Sequence, residues 1–296
     1  MNADTFTLYS CDLCGSEDLA EIPCAPHYTD GRPLHVCKDC GLLQAAYRRT
    51  PEALQRIWAE EIYRADDALI SDKTYTARIP AVVARQTFVV EFLAENVDIK
   101  GKSLVDIGAG EGQFLEMLTQ PRFGMGVFGI EPSVENCTIL GGMGIANFLG
   151  TMEDYAVKAD GRTFDVASLI WTLENCHSAS GVLAAAHDAV KPGGYLVVAT
   201  GSRILMPFKK PLQYFLGPNV DAHPFHFSAN ALTSLMHKAG FKVTAHNRFI
   251  DSDYLVLIGE RVDSSDGLAM PTDDWHAVVE FFERWHRETQ THYADW

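Results

Sequence analysis

No apolar stretch in these 296 residues approaches the ~18–20 residues that a membrane-crossing helix needs, although 47% of the chain is apolar. A helical membrane span is therefore not expected. The N-terminus has no basic segment followed by an apolar one, so no secretory leader is expected and a cytoplasmic location is. Positive charge is scarce too: 24 Lys and Arg stand against 39 Asp and Glu, a formal net charge of −15. Lys and Arg are what grip phosphate backbones, so nucleic acid is not the expected partner. Internal repeats and low-complexity tracts are missing as well. What remains is a globular chain long enough for one large domain and one small one.

Cysteine is neither scarce nor scattered. Four of the seven form two C-x2-C pairs, Cys11/Cys14 and Cys37/Cys40, and Gly15 and Gly41 follow the second cysteine of each. A glycine there suits a tight knuckle whose backbone N–H groups approach the thiolate sulfurs. Two such knuckles predict a four-thiolate structural zinc site. Disulfides are disfavoured in a cytoplasmic chain, and redox dithiols would not need two matched pairs. Cys24, His27 and His35 between the knuckles are substitute ligands, while Cys137 and Cys176 read as packed thiols. Residues 1–46 thus form a zinc ribbon, too short to bury a core of its own, so the metal supplies folding energy.

Ser103–Ile107 is a short apolar run that breaks into Gly108, Gly110 and Gly112, followed by Phe114, Leu115 and Leu118 at helical spacing. Strand, glycine turn and helix make a nucleotide-binding crossover. The next strand, 126–130, ends in Glu131, placed to accept hydrogen bonds from ribose hydroxyls. A dinucleotide and an S-adenosyl nucleotide both fit that pattern.

Further strands are expected at 145–149, 164–171, 195–200, 241–247 and 254–259. Helices fall at 112–120, around 133–140 before the glycine-rich turn 141–144, and at 181–190 before a stop at Lys191-Pro-Gly-Gly194. Residues 47–100 read as a helical linker and lid region and 101–262 as the cofactor-binding domain. Within the latter, 201–227 is an insertion of lid type, and Ser228 caps the helix behind it. Residues 263–296 form a C-terminal helical extension. Its stripe of Trp275, Val278, Phe282 and Trp285 serves core packing or a homodimer interface.

The segment VDIGAGEG resembles the first motif of class I S-adenosylmethionine (SAM)-dependent methyltransferases. The resemblance implies an α/β fold, a Rossmann-like seven-stranded sheet with the zinc ribbon before it and the helix after it. It implies SAM as cofactor, with Asp106 near its amino-acid end, Gly108, Ala109 and Gly110 along it, and Glu131 and Pro132 at the ribose. Met152 and Glu153 would hold the adenine, and Trp171 and Glu174 would wall the cofactor or acceptor pocket. The ribbon, CDLCGS and CKDCGLLQ, resembles the zinc-binding head of bacterial sugar C-methyltransferases, and His226-Phe227-Ser228 matches the end of their Y-H-E-H-F-S segment. Tyrosines help close the site in that family, and Tyr63 and Tyr75 stand in the corresponding region.

His223, Pro224 and Phe225 depart from the Y-H-E-H-F-S segment where the family keeps groups that take a proton from carbon. An oxygen acceptor, a sugar hydroxyl on a small molecule or glycan, is expected instead. His226 would be the base, with His223 and Glu174 as further candidates. Sugar C-methylation, and a non-catalytic SAM-binding or partner-docking role, are the alternatives.

Overall fold

Leu104, Val105, Asp106 and Ile107 are all buried, as expected of a strand covered on both faces. This strand is the middle of the architecture. The computed structural model describes residues 6–59, 80–158, 161–207, 210–217, 223–248, 250–252 and 254–293. Tyr63 and Tyr75 lie outside the described residues.

The N-terminal segment holds β1 (Phe6–Leu8), β2 (Leu19–Glu21), β3 (His35–Cys37), β4 (Leu43–Gln44) and β5 (Tyr47–Arg49), followed by helices α1 (Pro51–Ala59) and α2 (Pro80–Asn96). Pro51 opens α1, where its missing N–H costs nothing. The alternating region follows as β6 (Ser103–Ile107), α3 (Gln113–Thr119), β7 (Gly126–Glu131), α4 (Val134–Gly142), β8 (Ala146–Leu149), α5 (Met152–Lys158) and β9 (Phe164–Ile170). It continues through α6 (Ala179–Ala189), β10 (Val190–Thr200), α7 (Gln213–Leu216), β11 (Phe225–His226), α8 (Ala229–Lys238), β12 (Phe241–His246), β13 (Leu255–Arg261) and α9 (Trp275–Tyr293).

Seven strands form one sheet in the order β12-β13-β10-β9-β6-β7-β8. Within it β13 runs antiparallel to both its neighbours, and β10, β9, β6, β7 and β8 pair in parallel. Strand order reverses between β6 and β9, and at such a switch point the strand ends leave a crevice for a ligand.

Two local expectations differ from the structure, and a third is narrowed. Gly141 and Gly142 stay helical at the end of α4, Met143 caps it, and the chain turns away at Gly144, with φ +75°. Residues 191–194 do not end an element: they lie within β10, whose register against β9 shifts between Val190 and Tyr195. A Cβ on Gly194 would lie 2.6 Å from the Asp165 carbonyl oxygen, so glycine lets this bulge close against β9. The aromatic stripe of α9 packs inside the chain. Val278, Phe282 and Trp285 share a core with Ile22, Leu34 and Leu43 of the N-terminal strands and with Ile204, Leu212 and Leu216 of the 201–227 insertion. That face therefore serves core packing, one of the two roles expected of it.

The insertion is also tied down by backbone pairing. β11 joins β4 antiparallel, making a four-stranded sheet β11-β4-β3-β2 out of the ribbon and the segment before α8. Ser228 caps α8 as expected, its hydroxyl accepting from Ala231 N–H.

Candidate active site

The glycines after β6 divide by what surrounds them. Gly108 has φ +77°, and a Cβ there would fall 2.5 Å from Thr172 Oγ1, so the loop lies directly against the end of β9. Gly112, at φ +80°, caps α3, and a Cβ would meet Leu140 at 2.4 Å. Gly110 is also left-handed, φ +54°, yet nothing lies within 4 Å of its missing Cβ. Two glycines allow packing, and the third leaves open space above the strand ends.

Glu131, the last residue of β7, sits beside that loop. Gly110 N–H donates to its Oε2 at 2.8 Å, while Ser133 N–H (2.9 Å) and Asn136 Nδ2 (3.3 Å) donate to Oε1. Gly150 N–H donates to its carbonyl at 3.0 Å, which brings the segment leading to α5 alongside. Met152, first in α5, is buried, Glu153 next to it is exposed, and Pro132 is half-buried. Asp106 is buried within β6, and Ser168 Oγ donates to its Oδ1 at 2.6 Å. Burial pushes the Asp106 carboxyl up to about 7 against the lowering effect of that bond.

The end of β9 adds a strained wall. Trp171 holds φ +55°, uncommon for a residue with a large side chain. The conformation is fixed by its N–H donating to the Ala199 carbonyl at 2.7 Å and its carbonyl accepting from Asn175 Nδ2 at 2.8 Å. Its ring stands edge-on to Tyr254, with centroids 5.2 Å apart. A single helical turn, 173–175, then carries Glu174. One Glu174 oxygen accepts from Gly201 N–H at 3.1 Å, and desolvation pushes the carboxyl up to about 7 against the lowering effect of nearby backbone N–H groups and the Thr200 hydroxyl. Among the described residues, Trp171 Nε1, Glu174 Oε2, Asn175 Oδ1 and Gln113 Oε1 are buried with no hydrogen-bond partner. Orphaned atoms on residues at and beside these strand ends are what a polar ligand site looks like without its ligand.

The structure brings Asp106, Gly108, Ala109, Gly110, Glu131, Pro132, Met152, Trp171 and Glu174 to one edge of the sheet, with Glu153 at the rim. The histidines belong to the segment of β11, which packs beside the turn that carries Glu174. Side chains alternate along β11: the Phe225 and Phe227 rings stack in the core that holds Leu173, while His226 points the other way, 5.2 Å from Phe215. Burial, with His223 and Lys210 nearby, pushes His226 down to about 3, and burial alone takes His223 to about 4. Both Nδ1 atoms lack a partner among the described residues.

A second cluster gathers Cys11, Cys14, Cys37 and Cys40, with their sulfurs all within 4.8 Å of one another. Cys11 and Cys40 approach to 3.4 Å, Cys14 and Cys37 to 3.5 Å. A tetrahedral shell with metal–sulfur bonds of ~2.3 Å spaces its sulfurs ~3.8 Å apart, so the cluster fits a zinc ion. Gly15 and Gly41, at φ +80° and +79°, close the knuckles by donating N–H to the Cys11 and Cys37 carbonyls, each at 2.8 Å.

Sequence reasoning missed Ser168, Asn136, Asp12 and Arg48. Ser168 had a signal, a lone hydroxyl in the apolar run 164–170. The other three become visible only through their tertiary contacts.

A family model described as a methyltransferase domain matches residues 82–246. A tRNA U34 carboxymethyltransferase from Desulfotalea psychrophila is 30% identical over 154 residues, covering 49% of this chain and 46% of that protein. A ubiquinone biosynthesis O-methyltransferase from Methylobacterium sp. is 30% identical over 128 residues, covering 40% and 50%. The chain thus spans about half the length of the curated relatives it matches. Among solved structures, magnesium protoporphyrin IX methyltransferase from Synechocystis PCC 6803, with bound SAH, aligns at TM-score 0.52 and 14% identity, covering 72% of this chain and 100% of that one. At that identity the likeness speaks for the fold.

Proposed function

This chain belongs to the methyltransferase family whose model spans residues 82–246, and from that premise we propose that it moves the methyl group of SAM to a hydroxyl of a sugar acceptor, free, nucleotide-activated or in a glycan. Glu131 and Pro132 hold the ribose, Gly108–Gly110 and Asp106 the amino-acid end, and Met152 and Glu153 the adenine, with Trp171 walling the pocket beside Glu174. SAM supplies a methyl on a positively charged sulfur that is already electrophilic, so the protein's share is to bind, orient and deprotonate. Cys11, Cys14, Cys37 and Cys40 hold a structural zinc whose binding energy contributes to folding.

Glu174 is the base. The observation that carries this role is its buried carboxyl at the end of β9, with one oxygen held by Gly201 N–H and Oε2 without a partner. A carboxyl raised to about 7 is ionised enough at neutral pH to accept a hydroxyl proton and basic enough to keep it. His226 and His223 are weaker candidates because burial takes their imidazoles far below neutrality, although β11 packs beside the turn of Glu174. The sugar acceptor rests on the sequence resemblance of the ribbon and of residues 226–228, which the relatives' names do not share. An RNA acceptor, as the Desulfotalea enzyme's name would imply, is disfavoured by the net charge of −15.

The test incubates the protein with SAM and a panel of sugar nucleotides, a ubiquinone-type phenol and tRNA, and reads S-adenosylhomocysteine and methylated product. Methylation of a sugar hydroxyl is expected. Product on tRNA or the phenol alone would overturn the acceptor, and SAM binding without turnover on any of them would favour the non-catalytic alternative.

A further inference from the structure

The turn that carries Glu174 is gripped from outside its own domain. Asp12 stands inside the first cysteine knuckle. Ser178 Oγ donates to its Oδ1 at 2.7 Å and Ser180 N–H to its Oδ2 at 2.7 Å, so this acid binds the start of α6. Arg48, on β5, is buried, its side chain 4% exposed. Its Nε donates to the His177 carbonyl at 3.0 Å and its Nη1 to the Ala45 carbonyl at 3.2 Å. The guanidinium lies 4.0 Å from Asp12 and against the faces of Tyr9 and Phe225. Lys238, at the end of α8, donates to the Leu13 carbonyl of the same knuckle, and Asp273 N–H donates to the Cys40 carbonyl at 3.2 Å.

An arginine this buried has lost its hydration and needs carbonyl and carboxylate partners in a fixed geometry. It finds them only when the ribbon, the 173–178 turn and the start of α6 are in register. The turn itself is one helical turn long, too short to hold its own shape.

We propose that the four-cysteine ribbon is a positioning element of the reaction: Asp12 and Arg48 clamp residues 177–180 and thereby fix the turn on which Glu174 faces the strand ends. They are positioning residues, since neither reaches the reacting atoms. The inference rests on the reading of Glu174 as base, and its test separates the two. The ionisable groups around the turn are Cys176 and His177 beside it, Asp12 from the ribbon, Arg48 from β5, Glu52 from α1, Glu153 from α5 and His226 from β11.

The experiment uses the full zinc-loaded chain and the variants Asp12→Asn and Arg48→Met, with Asp18→Ala as control. Asp18 pairs with Lys38 on the exposed side of the ribbon. In both test variants kcat should fall roughly 10- to 100-fold, the penalty of a slightly misplaced catalytic group, while SAM Kd and zinc content stay within a few-fold. Amide hydrogen exchange over residues 173–180 should speed up. The acid limb of the kcat–pH profile should move to lower pH, because water reaching a loosened turn favours the ionised carboxyl. A variant that is merely less stable would lower Tm and leave that limb in place. If Arg48→Met does not fold, Arg48→Lys and Asp12→Asn carry the test. A kcat within two-fold of wild type in folded, zinc-loaded variants overturns the clamp whatever the exchange rates do. Full kcat in Glu174→Gln would instead remove the base assignment.

Discussion

Replacing Glu131 by alanine removes an acceptor shared by the cofactor loop and the segment after β7. Its carboxylate takes hydrogen bonds from Gly110 N–H, Ser133 N–H and Asn136 Nδ2, and in the proposed complex from a ribose hydroxyl as well. A hydrogen bond to a charged acceptor contributes about 1.5–3 kcal/mol, so losing the ribose contact should weaken SAM binding roughly 10- to 150-fold. The free protein should suffer too. The Gly110 and Ser133 amides would each forfeit a buried partner, at about 1–3 kcal/mol apiece before water enters, and Tm should drop by several degrees. Glu131→Gln keeps one acceptor oxygen and the side-chain length, and should fall between wild type and alanine in both respects. Titration calorimetry with SAM and thermal unfolding read the two effects separately. Unchanged SAM affinity in a folded Glu131→Ala protein would refute this placement of the cofactor, and tight NAD binding would replace it with a dinucleotide.

Other consequences follow from the same contacts. Protein purified without chelator should hold one zinc per chain, and Cys37→Ser should release it. Trp285 shares a core with Leu34 and Val36, so its fluorescence should shift, because the disturbance cannot stop at residue 46; less than about half occupancy in the wild type would count against the four-thiolate site. Gly110→Val should abolish SAM binding, since its side chain would fill the open space at a left-handed position; retained binding would move the cofactor elsewhere. Glu174 and Asp106 both titrate near 7 when folded and near 4 when unfolded, so they bind protons more tightly in the native state. Their contribution is fully present below pH ~4 and is lost as pH rises through ~7. Ligand-free Glu174→Gln should therefore gain stability over wild type above pH 7, by roughly 3 kcal/mol at most, and a flat difference across pH 4–8 in denaturant titrations would contradict the assigned burial.

The parallel strands were legible because each is a short, nearly continuous apolar run bounded by glycine or a charged residue. The cofactor residues were legible because their chemistry is local: the Gly108–Gly112 loop and Glu131 belong to consecutive elements. The ends of elements were harder. Glycine and proline at 191–194 stop a helix in isolation, yet β9 supplies enough pairing to carry them as a bulge. The ribbon's boundary was hidden for a related reason. Its fourth strand finds its partner at Phe225–His226, farther along the chain than the cofactor domain is long, and no local pattern encodes that pairing. The same contact buries His226 with its ring against Phe215, surroundings that residues 226–228 do not reveal by themselves. Nothing local in the sequence singles out Arg48 and Asp12, and only the fold buries them against the turn of Glu174.

The central claim is tested most directly by the rate of S-adenosylhomocysteine formation in wild type, Glu174→Gln and His226→Ala at saturating SAM and acceptor, followed from pH 5 to 9. With Glu174 as the base, wild-type kcat rises through a pKa near 7, Glu174→Gln loses roughly 10²–10⁴-fold together with that rise, and His226→Ala keeps both. A Glu174→Gln enzyme with wild-type kcat, or a His226→Ala enzyme that loses the limb, would contradict it.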